Sequence, residues 1–252
     1  MGNMRRAVWI AALVLLCWSC AGRGGGREKI STPLDPSGQC LLVLSEGWGS
    51  TEGTLQAFGR SWTGNWKAVG PGISVYLGRS GLGWGRGLHP EQTDGPRKAE
   101  GDGRAPAGIF ALPTAFGRAL PAPPLKSFPF LVLDQDTVCV DDSVSRHYNQ
   151  VFGARDVPAR DWDSSEGMLR PDGLYDLGLL VDHNPKPAEP EGGSCIFVHL
   201  PHSPLKPTTG CTTVPREDME RLLRWLDASK RPVIVQLPRV EYARLKAAWG
   251  LP

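Results

Sequence analysis

Apolar residues fall into short runs along the chain. Cys40–Leu44, Ile73–Leu77, Gly108–Leu112, Phe128–Leu133, Thr137–Val140, Leu174–Val181, Cys195–His199 and Pro232–Leu237 are rich in Val, Ile, Leu or Phe, and Gly, Pro, Asp or Ser bound them. Runs of four to eight such residues between turn formers predict β-strands. Two stretches carry a helical pattern instead. After Pro215, the apolar residues Met219, Leu222, Leu223 and Leu226 recur at i, i+3, i+4 and i+7, and Glu217 and Asp218 occupy the first turn. That is an amphipathic helix with acidic residues at its positive end. A second helix is predicted from about Val240 to Trp249, ended by Gly250. The stretch from Gly81 to Arg104, dense in glycine and charge, reads as loop, and no internal repeat is evident. The expected fold is mostly β, a sandwich or barrel with one or two C-terminal helices.

Composition agrees with that pattern. The 31 glycines and 23 prolines favour many short strands and turns over a helical bundle. With 28 basic and 26 acidic residues the net charge is +2, which gives no global basic footprint for nucleic acid. The length of 252 residues suits one medium-sized domain behind an export segment.

That segment is read in residues 1–20. Arg5 and Arg6 precede an apolar run from Ala7 to Trp18, too short to span a bilayer, which takes about 20 residues, but suited to a secretory signal. Leu16-Cys17-Trp18-Ser19-Cys20 loosely resembles a bacterial lipobox, with Cys20 as the lipid-bearing residue; ordinary cleavage nearby is the alternative. Residues 21–38, polar and Gly-rich, read as a flexible tether, and residues 39–252 as the folded domain. The expected location is the periplasm or cell envelope, with a candidate lipid anchor at Cys20.

Outside the signal lie Cys40, Cys139, Cys195 and Cys211. The apolar settings of the first three read as those of buried small residues, with a Cys139–Cys195 bridge as the alternative. Cys211 differs, because Gly, Thr and Pro surround it.

The chain has no G-x-S-x-G, P-loop, G-x-G-x-x-G or H-E-x-x-H motif. Its unusual stretch is Gly193 to Thr212, in which an apolar strand ends at His199 and Cys211 follows 12 positions later, behind Gly210. A thiol needs a base or a positive field to react near neutral pH, and a returning histidine with a nearby helix start supplies both. Gly210 allows backbone N–H groups to face a developing oxyanion. A zinc site built from His199, His202, Cys211 and Asp182 or His183 is the competing pattern, but no compact second ligand pair completes it.

At these residues the chain resembles the YkuD-type L,D-transpeptidase catalytic domain, whose signature is a histidine followed by a [Ser/Thr]-x-Gly-Cys loop, and within it the ErfK/YbiS-related branch. The phrases that carry the likeness are Lys98-Ala-Glu-Gly-Asp-Gly-Arg-Ala-Pro-Ala-Gly-Ile-Phe110, Val140-Asp-Asp-Ser-Val-Ser-Arg-His-Tyr-Asn149, Ser165-Glu-Gly-Met-Leu-Arg170, Asn184-Pro185, Gly193-Ser-Cys-Ile-Phe-Val-His199 and Pro207-Thr-Thr-Gly-Cys211. The resemblance implies a YkuD-like β-fold and acyl transfer on peptidoglycan stem peptides. Cys211 maps to the nucleophile, His199 to the general base, and Thr209 and Gly210 to the oxyanion loop. It implies a thioester intermediate, release of D-alanine, an amine acceptor, and neither metal nor organic cofactor. The loop departs from the best-known members in lacking a histidine before the glycine, and threonines follow the cysteine. The alternatives are an L,D-endopeptidase or carboxypeptidase with water as acceptor, and a non-catalytic peptidoglycan-binding envelope lipoprotein. His202, Asp141, Tyr148 and Asn149 are candidate substrate-binding residues, against ordinary turn chemistry. The loop bearing Glu100, Asp102 and Arg104 either fixes the sheet edge or contacts the substrate, and Trp162 and Met168 read as packing residues.

Overall fold

A computed structural model describes residues 31–119, 125 and 127–252. The export signal, Cys20 and the first part of the tether lie outside the described residues.

In chain order the strands are β1 (Gln39–Ser45), β2 (Glu52–Arg60), β3 (Trp66–Tyr76), β4 (Leu82–Trp84), β5 (Ala105–Ala111), β6 (Ala115–Gly117), β7 (Phe130–Val132), β8 (Thr137–Val140), β9 (Val151–Gly153), β10 (Ser165–Gly167), β11 (Leu177–Leu180), β12 (Phe197–His199), β13 (Thr212–Thr213) and β14 (Val233–Pro238). Two α-helices lie near the C-terminus, α1 (Arg216–Trp225) and α2 (Arg239–Trp249). The strands form a six-stranded sheet in the order β3-β2-β1-β14-β5-β4, a five-stranded sheet β13-β12-β11-β6-β7, and a three-stranded sheet β10-β8-β9. The expected class, mostly β with C-terminal helices, is what forms.

β1 and β14 pair in parallel at the centre of the large sheet, with Leu41 opposite Ile234 and Val43 opposite Gln236. Both are buried along nearly their whole length, which explains their unbroken apolar runs. α2 packs on these two strands and ends at Gly250, whose φ of 67° is the left-handed conformation of a helix stop. α1 starts after Pro215 and buries Met219, Leu222 and Leu223, as its pattern predicts. The main core joins these strands and helices to Leu177, Leu179, Ile196 and Val198. A second cluster, with Phe116, Cys139, Met168, Tyr175, Phe197 and Cys211, lies on the other side of the five-stranded sheet, toward the three-stranded one. Val198 faces the first core and Phe197 the second, as alternation along a strand requires.

Three expectations need correction. The tether is shorter than residues 21–38: Leu34 is fully buried, and Arg60 donates to the carbonyls of Leu34 and Ser37. The stretch from Gly81 to Arg104 contains β4, paired in parallel with β5 despite its glycines. Cys139 and Cys195 are not free buried thiols but form a disulfide, leaving Cys40 and Cys211 free among the described residues. A turn at Cys195 (φ 54°) carries its sulfur out of the strand run toward Cys139.

Candidate active site

The short parallel pair β12–β13 positions the candidate residues. Val198 lies opposite Thr212 and His199 opposite Thr213, so the same register sets Phe197 beside Cys211. The Phe197 N–H donates to the Cys211 Sγ at 3.3 Å, and that sulfur lies 3.7 Å from the Cys195 carbonyl. Residues paired across a ladder point to one face, as do residues two apart on a strand. Cys211, Phe197 and His199 therefore share a face. Tyr175 joins them, its ring edge-on to both Phe197 (5.3 Å) and His199 (5.2 Å).

His199 Nδ1 is 2.7 Å from the Leu200 carbonyl. A bond to a carbonyl requires that nitrogen to carry the proton, which leaves Nε2 as the basic atom. No hydrogen bond joins this imidazole to the thiol: the sulfur's partners are the Phe197 N–H and the Cys195 carbonyl. Catalytic hydrogen bonds in unliganded sites often tighten only when substrate is bound.

The loop before Cys211 is held from within. Thr208 is buried; its Oγ1 donates to the Cys211 carbonyl (2.6 Å) and accepts the Gly210 N–H (3.1 Å). Main-chain bonds from Thr208 to Leu77 and from Arg79 to Thr208 pin the loop to the end of β3. Gly210 has φ 154°, and a Cβ there would stand 3.1 Å from the Arg104 carbonyl, so both conformation and space call for glycine. Because the Gly210 N–H is already taken, the Thr209 and Cys211 amides are the loop's remaining donors toward a bound carbonyl.

Cys211 borders a cavity of about 260 Å³ lined also by Arg79, Lys98, Glu100, Asp141, Glu166, Tyr175, Thr209 and Gly210. His199 does not line it directly; it lies against Tyr175, which does. No family description, curated protein or solved structure matches this chain.

The charges around the cavity differ in their commitments. Lys98 is paired with Asp102 at 2.7 Å. Arg170 grips Asp172 and donates to Glu166 Oε1 at 3.1 Å, the same oxygen that accepts the Tyr175 hydroxyl at 2.8 Å. The Arg79 guanidinium makes no ion pair among the described residues, and Asp141 Oδ1 is buried without a hydrogen-bond partner. Burial, followed by the Glu166 charge, pushes the Cys211 thiol up to about 12. Burial lowers His199 to about 4. Both groups are therefore neutral at pH 7, a thiol and an imidazole and not an ion pair. Burial also raises Glu166 above the usual carboxylate range, with the Asp141 charge adding to it.

Of the residues expected from sequence, Cys211, Thr209, Gly210 and Asp141 meet at this cavity, and His199 stands on the adjoining strand. Tyr148 and Asn149 lie behind it. The Tyr148 hydroxyl donates to Glu100 Oε2 (2.5 Å) and accepts the Gly193 N–H (3.1 Å). Asn149, at φ 60°, donates to the carbonyls of His183 and Asn184 and accepts the Cys195 N–H at 2.9 Å. With their polar atoms engaged internally, both residues support the wall behind the cavity. His202 lies on the 200–207 loop, outside the residues that line the cavity. Sequence reasoning assigned no role to Glu166, Tyr175, Lys98 or Arg79; the only signal for the first was the Ser165–Arg170 phrase. Among the described residues no three His, Cys, Asp or Glu side chains are grouped to hold a metal ion, so the zinc pattern has no geometric support.

Proposed function

We propose that this chain is an exported cysteine acyltransferase of the L,D-transpeptidase kind, acting on peptidoglycan stem peptides. The observation that carries the reading is the placement of Cys211: a free thiol at a cavity wall, under a main-chain N–H, on the strand face it shares with His199. The ordered phrases resembling the YkuD-type domain supply the substrate class. The Cys139–Cys195 disulfide supports export, because such bonds persist in oxidising compartments.

In the first half-reaction the Cys211 sulfur attacks the scissile amide carbonyl. Its proton passes to His199 Nε2 and from there to the departing nitrogen. The C–N bond breaks, an amine (D-alanine) leaves, and the acyl group stays on sulfur as a thioester. In the second, an acceptor amine attacks the thioester, its proton returns through His199 to the sulfur, and a new amide departs. The Thr209 and Cys211 amides are the donors available to the oxyanion. Arg79 is the cation available to the carboxylate of the leaving residue. With both partners neutral at rest, proton transfer accompanies attack, and burial keeps the idle thiol unreactive.

The test is covalent capture. The purified domain, incubated with a stem tetrapeptide or a carbapenem, should gain the mass of one acyl group, and peptide mapping should place it on Cys211. Cys211→Ala should keep the fold and lose the adduct. An adduct elsewhere, or none under conditions that label an active L,D-transpeptidase, would overturn the reading.

A further inference from the structure

Glu166 faces Cys139 across the β10–β8 pair, and the disulfide ties Cys139 to Cys195, whose carbonyl touches the nucleophile. The bridge thus links the strand pair bearing Glu166 to the segment bearing the thiol's contacts. Both hydrogen bonds to Glu166 end on Oε1, so Oε2 is uncommitted. Asp141, on the same cavity wall, adds a buried oxygen with no partner. Of the nearby cations, Lys98 is bound to Asp102 and Arg170 is shared between Asp172 and Glu166, which leaves Arg79 as the unpaired cation, among the described residues, on a wall that also carries Glu100, Asp141 and Glu166. A net negative field next to a nucleophilic thiol opposes the thiolate, so on its own it works against the chemistry. A substrate cation at Glu166 would remove that opposition at the moment of binding. Burying such a cation also requires a carboxylate partner, and Glu166 with Asp141 supplies one.

Building on the acyl-transfer reading, we propose that Glu166 is a specificity-determining residue that receives a primary ammonium group of the substrate beside the Cys211 sulfur, with Asp141 as second acceptor. The ammonium belongs to the residue that donates the acyl group or to the amine that accepts it; both present the same chemistry. Cys211 is then activated by its own substrate and stays quiet toward other electrophiles.

The full chain is given two peptides ending in Lys-D-Ala, one with a free side-chain amine and one with that amine acetylated, and thioester formation on Cys211 is followed by intact mass. Preformed thioester is then resolved by glycinamide or by water. For a donor-borne ammonium, the wild type favours the free-amine peptide by roughly tenfold or more, the worth of a charged hydrogen bond, and Glu166→Gln erases the preference. For an acceptor-borne ammonium, acylation ignores the acetyl group while Glu166→Gln lowers the glycinamide-to-water ratio by a similar factor. Ratios unchanged by Glu166→Gln in both halves overturn the proposal, whatever happens to absolute rates. A second measurement needs no turnover: methylammonium should accelerate iodoacetamide alkylation of wild-type Cys211, and a flat response overturns the proposal even if Glu166→Gln fails to fold. An absence of any wild-type thioester instead counts against Cys211 as the nucleophile, and the alkylation result then decides on Glu166 alone.

Discussion

The Phe197 N–H points at the Cys211 sulfur from 3.3 Å. A main-chain donor favours the thiolate, yet burial and the Glu166 charge outweigh it and hold the thiol up to about 12. Iodoacetamide should therefore alkylate Cys211 in the free protein at least about a hundredfold more slowly than an exposed cysteine at pH 8, and the rate should climb steadily with pH. A rate plateau below pH 9, mapped to Cys211 by peptide analysis, would contradict this.

Acid should loosen the fold before it reaches ordinary carboxylates. His199 is held at about 4 and His183 at about 3, both chiefly by burial. A histidine depressed in the folded state contributes stability that is complete above its unfolded value near 6.5 and lost as pH falls through the folded one. Denaturant midpoints should drop between about pH 6.5 and pH 3. His183→Phe should flatten part of that slope.

Opening the Cys139–Cys195 bridge should cost both stability and activity. The bond spans a sequence separation of 56, for which chain-entropy loss in the unfolded state is worth roughly 4 kcal/mol. Paired Cys139→Ala and Cys195→Ala substitutions should lower the unfolding free energy by about that much. They should also slow acylation of Cys211, because the Cys195 carbonyl and the Glu166 wall lose their tie. Equal acylation rates in bridged and unbridged protein would refute the second part.

Asn149 should act through the 183–195 segment it holds. Its side chain makes three hydrogen bonds to main-chain groups of His183, Asn184 and Cys195. Asn149→Ala leaves those groups unpaired and should destabilise the fold by about 2–4 kcal/mol. If it acts this way, kcat for stem peptide falls while KM changes little; a large rise in KM alone would show a direct substrate contact.

Thr208→Val tests the nucleophile loop. It keeps the shape but strips the bonds to the Gly210 N–H and the Cys211 carbonyl. The expected loss is about 1–3 kcal/mol in unfolding free energy. Acylation should slow as well, since the Thr209 and Cys211 amides lose their fixed direction, and kinetics on folded protein can separate the two effects.

Strands buried on both faces were readable because nothing interrupts their apolar runs: β1 and β14 are the clearest cases. α1 was readable because Met219, Leu222 and Leu223 recur at helical spacing. β4 escaped notice because Leu82-Gly83-Trp84 is too short and too glycine-rich to signal a strand before its partner β5 is known. β10 and β13 are likewise defined by their partners, not by their own residues. At the site, Cys211 and His199 stood out because a thiol and an imidazole are rare and chemically pointed. Glu166 and Tyr175 did not, since a carboxylate and a phenol acquire a role there only through the pairing that brings distant segments together. The Cys139–Cys195 disulfide was legible only as the alternative for a related reason: Cys195 looks like a strand residue, and its left-handed turn is what shows its sulfur leaving the run.

On the acyl-transfer proposal, the covalent link between residues 139 and 195 also ties the chain's maturation to its redox surroundings. Where glutathione keeps thiols reduced, a newly made copy holds its nucleophile but not the clasp that sets the opposing wall. On that reading the reduced copy is the slower acylase, and oxidation brings it to full rate.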